Sequence, residues 1–252
     1  MNWHKELYVD DDARLLFCTD LHGHIMALEY ALKHLNFRVG KDVLVCAGDL
    51  IDRGPHNELT ALKFINDKTG SFHSVRGNHD QFAIDHDEMW IPNGGGWAWK
   101  VFPTYAERKE FGEKLKALPA LITVYHKGKC FGVVHASVPQ EIEDWDVLVN
   151  MPEIGQARKL RQIIWDREYV QYHQSPFYQK PVIGVDYTIH GHTPVRVPLL
   201  VANRLHIDGG FAYNKNLFIA EMIVGKWYIH SFSNNGVDTP EYDLVYPQTT
   251  EE

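Results

Sequence analysis

Leu15-Leu16-Phe17-Cys18-Thr19-Asp20-Leu21-His22-Gly23 is a short apolar run that stops on an acid, a histidine and a glycine. The same design returns at Val43-Leu44-Val45-Cys46-Ala47-Gly48-Asp49, which continues into Leu50-Ile51-Asp52-Arg53-Gly54. It returns again at Phe72-His73-Ser74-Val75-Arg76-Gly77-Asn78-His79-Asp80. Runs of this length and type read as strands, over Arg14 to Thr19, Asp42 to Ala47 and Phe72 to Arg76. Helical spacing separates them. Ile25, Leu28, Leu32 and Leu35 share one face of a helix over Ile25 to Phe37, and Leu59, Leu62 and Ile65 one face over Asn57 to Asn66. A third helix runs from His79 to about Glu88. The order β-α-β-α-β-α predicts parallel strands with helices on the faces. In such sheets the site forms beyond the carboxyl ends of the strands. Asp20, Asp49 and Asn78 each fall there.

The rest of the chain is richer in strands. Ala120 to Tyr125 and Cys130 to His135 flank the turn His126-Lys127-Gly128-Lys129, and His135 ends its apolar run. Further strands are expected at Val182 to His190, Leu199 to Ala202, Arg204 to Asp208, Leu217 to Val224 and Lys226 to Phe232. Helices are expected over Thr104 to Leu118 and Gln156 to Tyr172. Asn93-Gly94-Gly95-Gly96-Trp97-Ala98-Trp99 is a glycine-rich aromatic loop without the Lys-Ser/Thr ending of a P-loop. With no internal repeat and no clear linker, residues 1–252 read as one domain with a polar tail from about 234.

Composition narrows the function. A formal net charge of −8 argues against a broad basic footprint for nucleic acid or an anionic membrane. Met1 to Asp12 carries Lys5, Glu6, Asp10, Asp11 and Asp12 and does not read as a leader. No run approaches the roughly 18 apolar residues of a membrane span. Cys18, Cys46 and Cys130 lie in apolar β-like segments without metal-type spacing, as reduced buried thiols would in a cytoplasmic protein.

Oxygen and nitrogen donors dominate the strand ends, the chemistry suited to hard or borderline divalent ions. Asp20 and His22, two apart on what reads as an extended segment, would point to one side and share a metal. Asp49 could bridge two metals through its two oxygens, with Asn78, His135 and the His192 of His190-Gly191-His192-Thr193 completing the second. All these donors suit Mn, Fe or Zn. Two adjacent cations clamp a phosphate and lower the pKa of a shared water. Arg53 and Arg167 are suited to the phosphoryl oxygens, because planar guanidinium forks bind phosphate in bidentate fashion. His79 could protonate the leaving alkoxide, with Asp52 orienting its imidazole.

Taken together, the order and spacing resemble the PPP-type metallophosphatases. The closest likeness is to the bacterial and bacteriophage serine/threonine protein phosphatases related to the lambda phage enzyme. The resemblance runs from about Leu15 to about Val224 and includes Asn93 to Trp97 and Ile164 to Glu168. It implies an α/β (α+β) fold, a β-sandwich of two mixed sheets flanked by helices with a dimetal site at one edge. It implies that Asp20, His22 and Asp49 bind one ion and that Asp49, Asn78, His135 and His192 bind the other. Manganese is the usual activator in that branch. Arg53, Arg167 and Asn78 would hold phosphate, His79 and Asp52 would form the acid pair, and Arg76 would lie close by. A metal-bridging water or hydroxide would attack phosphorus directly. The expected substrate is a phosphoprotein or phosphopeptide, with phosphotyrosine or small esters accessible to the same chemistry, and the expected enzyme is a monomer.

Two residues depart from that pattern. Asp80 stands where most such phosphatases carry Glu, and His190 stands where relatives often have an apolar residue. His192, preceded by Gly and followed by Thr, is taken as the ligand. A sister family that hydrolyses symmetrical diadenosine tetraphosphate resembles Gly-Asp-Leu-Val-Ala-Arg-Gly, with no acid where this chain has Asp52. That activity is the alternative, and a non-catalytic module on a metal fold is a third. His24, Asp208, Trp97, Trp99 and the Gly94-Gly95-Gly96 loop carry no assigned role.

Overall fold

A computed structural model describes residues 1–233 with their side chains and the backbone of 244–249. The three apolar runs that end on Asp20, Asp49 and Asn78 are strands: β2 (Leu15–Cys18), β3 (Val43–Cys46) and β4 (Phe72–Ser74), parallel to one another. They follow β1 (His4–Tyr8), a half-exposed edge strand that sequence reading missed because its charged residues hide any period. Helices α1 (Ile25–His34), α2 (Asn57–Ile65) and α3 (Asn78–Asp85) connect or follow them, although α2 buries Thr60, Ala61 and Phe64 instead of the expected Leu59, Leu62 and Ile65 face and leaves Leu59 exposed.

Strand alternation sorts the side chains of β2 between two environments. Leu16 and Cys18 face the helices and pack with Leu28, Phe64 and Phe82, while Leu15 and Phe17 face the other way. Phe17 meets a second sheet, with its ring 5.4 Å from Phe131. That sheet contains β1, β5 (Leu121–His126), β6 (Lys129–Val133), β7 (Tyr187–His190), β8 (Leu199–Val201) and β9 (Arg204–His206) in the order β1-β5-β6-β7-β9-β8. The first sheet is completed by β10 (Asn216–Ile223), β11 (Lys226–Ser233) and β12 (Leu244–Thr249), in the order β12-β11-β10-β2-β3-β4. Both sheets mix parallel and antiparallel pairs, so the fold is the two-sheet sandwich anticipated.

The remaining helices are α4 (Ala98–Val101), α5 (Tyr105–Leu115), α6 (Trp145–Val149), α7 (Glu153–Trp165) and α8 (Glu168–Gln171). Trp145, Leu160 and Ile163 cover the outer face of the second sheet. Some expectations need correction. The helix over Gln156 to Tyr172 breaks at Asp166, whose ψ is 135° and whose carboxylate caps the Glu168 N–H at 2.9 Å. The strand expected over Val182 to His190 starts only at Tyr187, because Gly184 takes φ +85° and Asn203 captures the Val182 N–H. Residues 244–249 of the expected tail form a strand antiparallel to β11, and 234–243 and 250–252 lie outside the described residues. Cys18 and Cys46 are buried, whereas Cys130 is only half-buried. No described helix is long and apolar enough to cross a membrane.

Candidate active site and metal centre

The turns that leave β2, β3 and β4 converge with those that leave β6 and β7. Asp20, His22, Asp49, Asp52, Arg53 and His192 all hold positive φ, between 43° and 76°. Such backbone costs on the order of 1–3 kcal/mol per residue and persists only where the surroundings enforce it. Cross-bracing does so here. Asp20, His22 and Gly23 donate their N–H groups to Gly48 O, Asp49 O and Leu50 O at 3.0, 2.9 and 2.8 Å. The segment of Asp20 and His22 is therefore a left-handed turn and not the extended stretch expected from the sequence. Both side chains still reach one pocket, with His22 Nε2 4.0 Å from Asp20 Oδ1.

Asp49 is central. Its Oδ2 lies 3.6 Å from His22 Nε2 and 3.4 Å from His135 Nε2, and its Oδ1 accepts the His79 N–H at 2.9 Å. Asn78 Oδ1 lies 3.0 Å from His135 Nε2. Backbone carbonyls set the tautomers. His22 Nδ1 donates to Ile51 O at 2.8 Å and His135 Nδ1 to Ala47 O at 2.7 Å, which leaves each Nε2 for the pocket. His192 Nε2 is buried without a hydrogen-bond partner among the described residues. Gly191 admits this packing, since a Cβ there would fall 2.1 Å from Asp20 Oδ2.

Electrostatics match the geometry. Burial opposes charge on His135, but Asp49 and Asp20 beside it raise its pKa to about 9. Burial lowers His22 to about 3, and burial with His135 and Arg167 lowers His192 to about 2. Burial, with Asp208 nearby, raises Asp20 well above the usual carboxylate range. Two donor sets, His22-Asp49-His79 and Asp49-His135-His192, each bring their ligand atoms within 4.8 Å of one another and share Asp49. Clustered acids, the imidazoles of His22 and His192 held neutral by burial, and the orphaned His192 Nε2 fit divalent cations.

The pocket, about 70 Å³, is also lined by Arg53, Arg167, Asn78, His79, Asn93, Trp165, Asp208 and Tyr213. Arg53 Nη1 lies 2.7 Å from His22 Nε2, and its guanidinium sits 5.1 Å above the Tyr213 ring. Arg167, freed by the break between α7 and α8, donates to His192 O at 3.1 Å. Asp52, fully buried, lies 2.7 Å from His79 Nδ1. Thus the structure brings the expected ligands, both phosphate-binding arginines and the Asp52–His79 pair to one place, but not Arg76. Asp208 lines the pocket and accepts the Gly210 N–H at 2.8 Å, so it does both things a turn acid there can do.

Others stand elsewhere. Arg76 turns to the chain after α5, donating to Leu118 O at 2.8 Å and Lys116 O at 3.2 Å. His190 bonds Thr188 Oγ1 and stacks on His206 at 4.7 Å. His24 bonds Leu21 O and packs on Phe211. Asp80 reaches back from the first turn of α3 to the N–H groups of Gly77, Asp49 and Leu50, at 2.8, 3.1 and 3.1 Å. It ties the Asp49 turn to α3, while Asp52 orients His79. Sequence reasoning assigned no site role to Asn93, Trp165 and Tyr213 on the pocket wall; Asn93, before the glycines, and Trp165, two residues before Arg167, lay in segments that carried the resemblance, whereas Tyr213 carried no signal. A groove of about 770 Å³ adjoins through Asn78, Asn93 and Trp165, with Phe82, Met89, Leu160 and Ile164 among its walls.

Fold and site together define a metallophosphoesterase. The chain belongs to the calcineurin-like phosphoesterase family, whose model matches residues 13–196. It is similar to serine/threonine-protein phosphatase 1 of Salmonella typhimurium, 30% identical over 81% of this chain and 89% of that protein. Serine/threonine-protein phosphatase 2 of the same organism is 32% identical over 79% of this chain and 88% of its own length. A symmetrical bis(5'-nucleosyl)-tetraphosphatase of Stutzerimonas stutzeri is 43% identical, but over 27% of this chain and 25% of that protein. Among solved structures, a protein serine/threonine phosphatase from Saccharomyces cerevisiae with similarity to human PP5 superposes with a TM-score of 0.67. It is 15% identical, over 96% of this chain and 86% of its own. The protein is therefore a phosphatase of the bacterial PPP type, in a family that works with divalent metal ions.

Proposed function

We propose that this phosphatase hydrolyses phosphoserine and phosphothreonine monoesters in proteins, as a monomeric single domain loaded with two divalent ions, manganese foremost. The observation that carries this is His79 on the wall of the pocket that holds the arginines and the acid–histidine cluster, backed by the buried Asp52, 2.7 Å from its Nδ1. A serine or threonine alkoxide is a strong base and leaves slowly unless protonated. A nucleoside diphosphate leaves readily without a proton. An acid pair is what the first substrate needs and the second does not. The protein-phosphatase relatives, matched over about four-fifths of the chain, support the same choice.

Asp20, His22 and Asp49 would hold one ion, and Asp49, Asn78, His135 and His192 the other. Bound there, the ions supply Lewis acidity and an activated water for attack at phosphorus. Arg53 and Arg167 bind the equatorial oxygens as their charge grows, and Asn78 adds a polar contact to phosphate. His79 delivers a proton to the departing oxygen, and Asp52 holds the imidazole in place. The groove beside the pocket gives a polypeptide room to continue past the phosphorylated residue.

A panel of manganese-loaded assays tests this. Phosphate release from phosphoserine and phosphothreonine peptides should exceed release of ADP from diadenosine tetraphosphate. A clear preference for the dinucleotide overturns the proposal in favour of that activity. No turnover of any phosphopeptide or of para-nitrophenyl phosphate makes the chain a binding module.

A further inference from the structure

We propose that Trp97, together with Trp90, is a positioning residue for the acid pair, locking Asp52 and through it His79. It rests on the protein-phosphatase reading of the site. Asp52 Oδ1 accepts the indole N–H of Trp97 at 2.8 Å and that of Trp90 at 3.0 Å. Oδ2 faces His79 Nδ1 at 2.7 Å and lies 3.2 Å from Trp90 Nε1. An indole N–H donates and never accepts. Both carboxylate oxygens are thereby fixed as acceptors, so His79 Nδ1 must carry its proton toward Asp52. Nε2 is then the nitrogen left to exchange a proton with substrate.

The loop is built to hold this arrangement. Trp90 is fully buried, and a Cβ on Gly95 would fall 2.3 Å from its indole ring, so only glycine lets the loop lie against it. The Trp97 ring packs edge-on against Trp90, Phe102 and Phe111 at 6.4, 6.0 and 5.7 Å. The same loop sends Asn93 to the pocket wall. Without the Trp97 donor, Asp52 is free to turn about its Cβ–Cγ bond and to let His79 drift. Small displacements of an acid cost rate steeply.

Trp97→Phe keeps the ring and deletes the donor. Turnover of a phosphoserine peptide should fall about 10–100-fold, the worth of a hydrogen bond to a charged group. Para-nitrophenyl phosphate, whose leaving group needs little protonation, should change little. Equal losses on both substrates overturn the proposal, since packing alone would cause them. A second arm needs no turnover. In 15N-labelled metal-free protein, Trp90→Phe and Trp97→Phe identify the two indole N–H resonances, and Asp52→Asn should shift both. If Asp52→Asn leaves both in place, the proposal falls. Should Trp97→Phe not fold, Trp90→Phe and the Asp52→Asn shift of the Trp97 resonance decide alone. A wild-type protein inactive on every ester sinks the proposed function, whereas the resonances still report on this contact.

Discussion

At the scale of single residues, one nitrogen separates two kinds of chemistry. His79 stands within reach of the His22 and Asp49 donor atoms, yet its Nδ1 is committed to Asp52. Losing it should leave the cations bound and remove the proton donor. His79→Asn is expected to slow phosphopeptide turnover by about 10²–10⁴-fold, the usual range for a general acid. Para-nitrophenyl phosphate should suffer far less, and metal analysis after dialysis should still find both ions. Equal slowing on the two substrates would refute the acid role. His192 and His190 make the complementary point. Two histidines one glycine apart have opposite fates, because a positive φ at His192 turns its ring into the cluster while His190 remains in β7 and stacks on His206.

At the scale of elements, the site is a property of turns held by neighbouring turns. The turn after β7 approaches the turn after β2 so closely that the His192 N–H bonds Asp20 Oδ2 at 2.9 Å. Gly191→Ala would place a methyl 2.8 Å from Thr19 Cβ and closer still to the Asp20 carboxylate. Overpacking of this kind costs about 1–3 kcal/mol. A lower melting temperature is expected, together with fewer than two ions retained after dialysis. Unchanged metal content would mean the two turns adjust independently. The α7–α8 break acts in the same way, since a continuous helix would hold Arg167 on a regular surface turn. Asp166 stops α7 one residue earlier and lets Arg167 reach His192 O.

At the scale of the whole molecule, stability should fall in acid for a reason remote from catalysis. His206 is buried, neither ring nitrogen has a partner among the described residues, and its pKa is lowered to about 3 by burial and then by Arg204. Below the ordinary value of about 6.5, the unfolded chain takes up a proton that the folded chain refuses. The contribution is therefore complete above about pH 6.5 and declines as pH falls toward 3, by about 1.4 kcal/mol per unit. In metal-free protein, His206→Phe should flatten the fall of melting temperature between pH 6.5 and 4.5 relative to wild type. An identical slope would show that the imidazole does not resist protonation there.

The chain's own chemistry determined much of this. Apolar runs ending in Asp, His and Asn announced buried strands with donors at their carboxyl ends, because strand burial demands a short continuous apolar segment and the next residue must leave it. That made β2, β3, β4 and the ligand-type residues legible from local pattern alone. Tertiary structure decided what pattern cannot encode. The left-handed turns at Asp20 and His22, the edge strand β1 and the grip of Trp90 and Trp97 on Asp52 depend on partners tens of residues away. Their energies come from contacts across the sandwich, and a contact between distant segments has no period in the sequence.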